Sequence, residues 1–168
     1  MSAIFLAIKE IQTRAKRRYV SGIATGSRPD GDGERMLPQT IKNFQKSAET
    51  GLVLLYCAGH NANKQSDYLT DIGKLTSSEI LPNGDWMVEF RLWDDADVRI
   101  ASVNKEISNQ LWAQLNGLDP YDKPIQKGFS IEAPGKKYQD PSTGQILWDI
   151  PEIKKIVLLT PRLIDNLS

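Results

Sequence analysis

Pro82-Asn83-Gly84-Asp85-Trp86-Met87-Val88-Glu89-Phe90-Arg91-Leu92-Trp93 is the stretch on which the fold turns. Trp86, Val88, Phe90 and Leu92 fall on one side of an extended chain, and Glu89 and Arg91 fall on the other. That period of two is the mark of a half-buried strand. Pro82 to Asp85 carries a hairpin turn signal, so Ile72 to Leu81 is read as the antiparallel partner. A sheet is therefore the organising element.

Working upstream, Leu52-Val53-Leu54-Leu55-Tyr56-Cys57 is a continuous apolar run, the pattern of a strand buried on both faces. Before it, Leu37-Pro38 opens a helix, with Pro38 in the first turn, where a missing N–H costs little. Ile41, Phe44 and Ala48 share one face of that helix and Gly51 suits its exit. Tyr19 to Thr25 reads as a first core strand. Ser27 to Gly33 is a loop by its Pro, Asp and Gly content. The opening segment is mixed, so residues 1–18 are expected to be an N-terminal basic arm or strand ahead of a domain over 19–168.

Downstream, Asp94, Asp95 and Asp97 favour a helix start through the dipole. Ile100, Val103, Ile107, Leu111 and Leu115 make its apolar stripe, and Asn116-Gly117 ends it. Leu118 to Lys127 is a proline-containing loop. Gly128 to Ala133 is a short strand or turn, and Pro134 to Gly144 is again loop. Ile146 to Leu159 gives one or two strands, with Pro151 marking a break. The order predicts an α+β single domain, a mixed or antiparallel sheet or small β-barrel flanked by helices.

The totals exclude several classes. A chain of 168 residues can bury roughly 70% of its extended surface around one core. Its 21 basic and 21 acidic residues cancel, which argues against electrostatic capture of nucleic acid. One cysteine rules out an internal disulfide framework and fits a reducing compartment. No apolar run approaches the ~20 residues of a membrane helix, and Met1 to Ile8 has no basic region ahead of its apolar stretch, so no membrane span and no secretory signal are expected.

Chemistry narrows to two side chains. Ser130, within Gly128-Phe129-Ser130-Ile131-Glu132-Ala133, stands between two apolar residues that can anchor its flanks. A serine becomes a nucleophile when a base takes its proton, and histidine, with an unperturbed pKa of ~6.5, is the usual base. The chain has one histidine, His60, so any Ser–His mechanism uses it. This is not the G-x-S-x-G elbow of α/β-hydrolases, since Glu132 and Ala133 follow. Cys57 and His60 form a C-x-x-H pair, but zinc needs about four ligands and no further Cys or His exists, so no metal and no cofactor are expected. A Cys57 nucleophile is disfavoured inside an apolar strand. Asp30, Asp32 and Glu34 lack the remaining ligand spacing of a calcium loop. Arg14, Lys16, Arg17 and Arg18 form a basic cluster, read as a solvated arm or a partner-binding patch.

Taken in order, these pieces resemble the prohead (capsid maturation) proteases of tailed bacteriophages, which share a fold with the herpesvirus assembly protease. The resemblance runs from about Tyr19 to about Pro161. It is carried by Val20-Ser21-Gly22-Ile23-Ala24, the loop from Asp30 to Gly33, Met36-Leu37-Pro38 leading to Phe44, Val53-Leu54-Leu55-Tyr56 leading to His60, Ile72-Gly73-Lys74, Gly128-Phe129-Ser130-Ile131, and Ile156-Val157-Leu158-Leu159-Thr160-Pro161.

The resemblance implies a serine endopeptidase with Ser130 as nucleophile and His60 as general base. Its third position, near the start of the last strand, falls here around Lys154 or Lys155, where the family carries an acid or, in herpesviruses, a second histidine. Glu152 is the first nominee for that role, being two residues before Lys154; Asp149 and Glu132 follow. Implied substrates are the major capsid protein and the scaffold protein, together with the protease itself. The implied place is the interior of the procapsid in the host cytoplasm, and a homodimer follows from the herpesvirus relation. The departure at Lys154 and Lys155 leaves open a catalytically inactive, protease-like module acting in capsid assembly or scaffold binding.

Overall fold

In the computed structural model, residues 8–26, 34–58, 69–117, 128–131 and 133–159 are described. In chain order the elements are β1 (Ile8–Arg14), β2 (Arg17–Thr25), β3 (Glu34–Met36), α1 (Pro38–Thr50), β4 (Leu54–Ala58), β5 (Leu69–Ile80), β6 (Trp86–Leu92), α2 (Ser102–Asn116), β7 (Gly128–Ile131), β8 (Lys136–Gln139), β9 (Ile146–Asp149) and β10 (Lys155–Leu159). The expected hairpin is β5–β6, antiparallel, with Gly73 opposite Leu92 and Ile80 opposite Trp86. Its turn is closed by the Leu81 amide donating to the Asp85 carbonyl at 2.8 Å. Gly73 is needed on steric grounds: a Cβ there would stand 2.4 Å from the Arg91 carbonyl oxygen.

The main sheet has seven strands in the order β1-β2-β6-β5-β4-β10-β7. It curls until β7 lies against β2, so the architecture is α+β with a barrel-like sheet. Trp86, Val88, Phe90 and Leu92 point into the enclosed core and are fully buried, as the period of two requires. The Phe90 and Phe129 rings meet across the barrel at 5.6 Å between centroids. Helix α1 packs over one side: Phe44 lies 5.4 Å from Trp86, and Ile41 is buried beside it. A small sheet, β3-β9-β8, is tied to α1 through Thr40, whose hydroxyl donates to the Trp148 carbonyl and accepts from the Ile150 amide.

Three expectations change. The run from Leu52 is not buried on both faces: Val53, Leu55 and Cys57 are buried, whereas Leu54 and Tyr56 are half-exposed and Leu52 is exposed. Backbone pairing on both edges of β4 does not require cover on both faces. Asp94 and Asp97 do not start the helix, which begins at Ser102. They instead bind Arg17 at 2.7 Å each, and Asp97 also takes Arg91 at 3.1 Å. Burial works against the Arg17 charge, but the fields of Asp97 and Asp94 and their hydrogen bonds outweigh it and raise its pKa. The segment from Pro134 to Gly144 contains β8, an edge of the small sheet whose four residues are all exposed. Of the two alternatives for the opening segment, arm or strand, residues 8–14 take the strand. It joins β2 through Ala15 and Lys16, both at positive φ (48° and 65°), the turn geometry that matches strand twist. Most of its basic cluster is occupied internally: Arg14 pairs with Glu89 and stacks on Tyr19, and Arg18 donates to Asn109 at 2.6 Å.

Candidate active site around Ser130

Ser130 lies in β7, the strand at one end of the order. Phe129 and Ile131 on either side are buried in the core with Ile156 and Leu158 of β10. Alternation then turns the Ser130 side chain to the opposite face, with 8% of the residue exposed. Two apolar anchors on a hydrogen-bonded strand give the hydroxyl a fixed backbone.

The register builds a row across the sheet. Ser130 is opposite Val157 of β10, Val157 is opposite Tyr56 of β4, and Tyr56 is opposite Asp71 of β5. Paired residues on adjacent strands share a face, so these four side chains line one side. Asp71 is fixed from outside the sheet: it accepts from Trp93 Nε1 at 3.1 Å and from Asn104 Nδ2 of α2 at 2.8 Å. Lys155 begins β10, and its ammonium lies 5.7 Å from the centre of the Tyr56 ring.

Strand direction matters here. β10 is parallel to β4 and antiparallel to β7. The end at which β4 leaves the sheet, at Ala58, is therefore the end at which β7 enters. β4 runs two strands from Ser130, a separation of ~10 Å. His60 comes two residues after Ala58 and lies outside the described residues, as does Glu132.

Of the remaining nominees, Glu152 precedes β10 rather than belonging to it. Its side chain is 64% exposed and stands 3.7 Å from Lys154. Standing two residues before Lys154 does not put Glu152 on a shared strand face with it, because the strand starts at Lys155. Asp149 is in β9 of the small sheet, opposite Lys136. Tyr56 and Asp71 lie in the same row as Ser130 but two and three strands away, and only the parallel β4–β10 pairing, a contact a hundred residues apart in sequence, puts them on this face. Lys155, where the resemblance puts the third position, comes beside β7 through the antiparallel β10–β7 pairing. Among the described residues, no group of three His, Cys, Asp or Glu side chains is placed to hold a metal ion, and no helix is long and apolar enough to cross a membrane.

No protein-family model and no curated protein matches the chain. Among solved structures, the chain is similar to the bacteriophage T4 capsid assembly protease, gp21, with a TM-score of 0.55 and 10% identity. The match covers 93% of this chain and 94% of that one. At this identity the likeness is one of fold, and it supports the α+β protease-like architecture over nearly the whole chain.

Proposed function

We propose that this chain is a serine endopeptidase of phage capsid maturation. The observation that carries the reading is the placement of Ser130: a serine anchored between two core residues, beside β10, in a sheet whose β4, two residues before the chain's one histidine in sequence, ends on the side where β7 enters. The likeness to a capsid assembly protease supports the same reading.

In this mechanism the Ser130 hydroxyl attacks a peptide carbonyl as His60 takes its proton. Backbone N–H groups hold the oxyanion of the tetrahedral intermediate. The imidazolium then gives the proton to the leaving amine, which departs as an ester forms on Ser130. Water, deprotonated by His60, hydrolyses that ester and restores the enzyme. Glu152 serves as the orienter of His60, with Asp149 and Glu132 as the other nominees. Substrates are segments of the major capsid protein and the scaffold protein, and the protease itself. The reaction takes place inside the procapsid in the host cytoplasm, by a homodimer.

The test is co-expression with a phage major capsid protein and its scaffold. Processed fragments are expected with the natural chain and not with Ser130→Ala. Equal processing by Ser130→Ala would refute the assignment. A second reading, a non-catalytic assembly module, draws on Lys155 standing where the resembled family carries an acid and on the exposure of Glu152. It predicts binding to scaffold with no cleavage by either form.

A further inference from the structure

The small sheet β3-β9-β8 has one face turned to the core and one turned away. Met36 lies opposite Trp148, and both are buried among core residues. Alternation then sends Arg35 and Leu147, which are also opposite each other, to the other face. Leu147 is in turn opposite Tyr138 of β8, which is 47% exposed. A guanidinium, an aliphatic group and a phenol therefore form a row across the sheet. Strands spaced ~4.8 Å apart put about 10 Å between the Arg35 and Tyr138 backbones.

The charges around this row leave Arg35 unmatched. On the same face Lys136 stands opposite Asp149, so those two offset each other. Lys137 and Glu34 belong to the core-side face, where they pair at 3.5 Å. Arg35 makes no hydrogen bond, ion pair or ring contact among the described residues, and its Nε is buried with no acceptor. Buried polar atoms are as a rule satisfied, and a charged one beside apolar groups is costly to leave alone. An orphaned donor on an outward sheet face calls for an acceptor from another molecule.

We infer that the outer face of the small sheet is a docking surface for an acidic segment of a partner protein, with Arg35 taking a carboxylate while Leu147 and Tyr138 pack an apolar residue beside it. The planar fork of a guanidinium matches the two oxygens of a carboxylate. One uncompensated cation next to apolar groups fits a single acidic side chain with an apolar neighbour. A nucleic-acid strand would instead bring a row of phosphates past Asp149, in a chain whose 21 basic residues are balanced by 21 acidic ones. None of these groups belongs to the site around Ser130, so the docking surface holds whether or not the chain is a peptidase.

The test is heteronuclear NMR of the full chain with the peptide acetyl-Glu-Leu-Thr-Leu-Glu-Leu-amide as probe. The Arg35 Nε–H signal and the Leu147 and Tyr138 amides should shift on addition. Replacing Glu by Gln in the peptide should raise Kd about tenfold or more, and Arg35→Gln should do the same. Lys137→Gln, on the opposite face, should leave Kd nearly unchanged. If Arg35→Gln does not fold, the glutamine peptide on the natural chain decides. Equal affinity for the two peptides, or shifts confined to other elements, overturns the inference. A thymidine oligonucleotide that moves the Arg35 signal at lower concentration than the peptide overturns it too, by giving the face to nucleic acid.

Discussion

Two regions of the sheet are held in opposite ways. At the β2–β6 corner, Arg17, Arg91, Asp94 and Asp97 form a charged cluster that ties the β1–β2 hairpin to the segment entering α2. At the β4–β10–β7 end, the ladders and a layer of buried apolar side chains supply the cohesion, and the face turned away from that layer carries Ser130, Tyr56 and Lys155. The corner spends its polar groups on one another. The other end keeps Ser130 buried, at 8% exposure, on a rigid hydrogen-bonded strand. That contrast separates a salt-bridged clamp from a serine held by ladders and apolar packing.

The comparison breaks most sharply at Ser130. Ser130→Ala should lower peptidase turnover by about a million-fold, the scale seen when a nucleophile is removed. It should leave thermal stability almost unchanged, because little packing is lost. Hydrolysis rates and a melting curve on the same sample check both halves. Next is Phe129→Ala, one residue away on the other face. It should cost about 3–5 kcal/mol by opening a cavity against Phe90, read from denaturant unfolding. Adjacent residues would then show separate functional and structural roles.

Arg17→Met tests the clamp. Its side chain is 27% exposed and each aspartate 12%, so the loss lies between a surface pair and a buried one, about 2 kcal/mol. The melting temperature should fall by roughly 4–8 °C, with turnover per folded molecule retained. Smallest is Glu152→Ala. An exposed carboxylate beside Lys154 contributes at most a few tenths of a kcal/mol to stability. A drop in turnover of more than about 100-fold would mark Glu152 as the orienter despite its exposure.

Local patterns carried much of the fold. Alternation in Trp86 to Leu92 gave the core strand, Pro38 and Gly51 bounded α1, and Pro151 separated β9 from β10. What stayed hidden depends on distant partners. Asp94 and Asp97 look like helix-start residues until Arg17 arrives from a strand far earlier in the chain. Lys136 to Gln139 looks like loop because an edge strand with both faces wet has no hydrophobic pattern. For the site, the flanks Phe129 and Ile131 announced a fixed serine. Nothing local placed Tyr56 in the row of that serine, which it joins from two strands away through the parallel β4–β10 pairing.

The most direct measurement is mass mapping of the fluorophosphonate adduct. The account predicts one adduct, on the peptide containing Ser130, absent in Ser130→Ala and formed far more slowly in His60→Ala. An adduct on another residue, or labelling of Ser130 at the same rate without the imidazole, would contradict it.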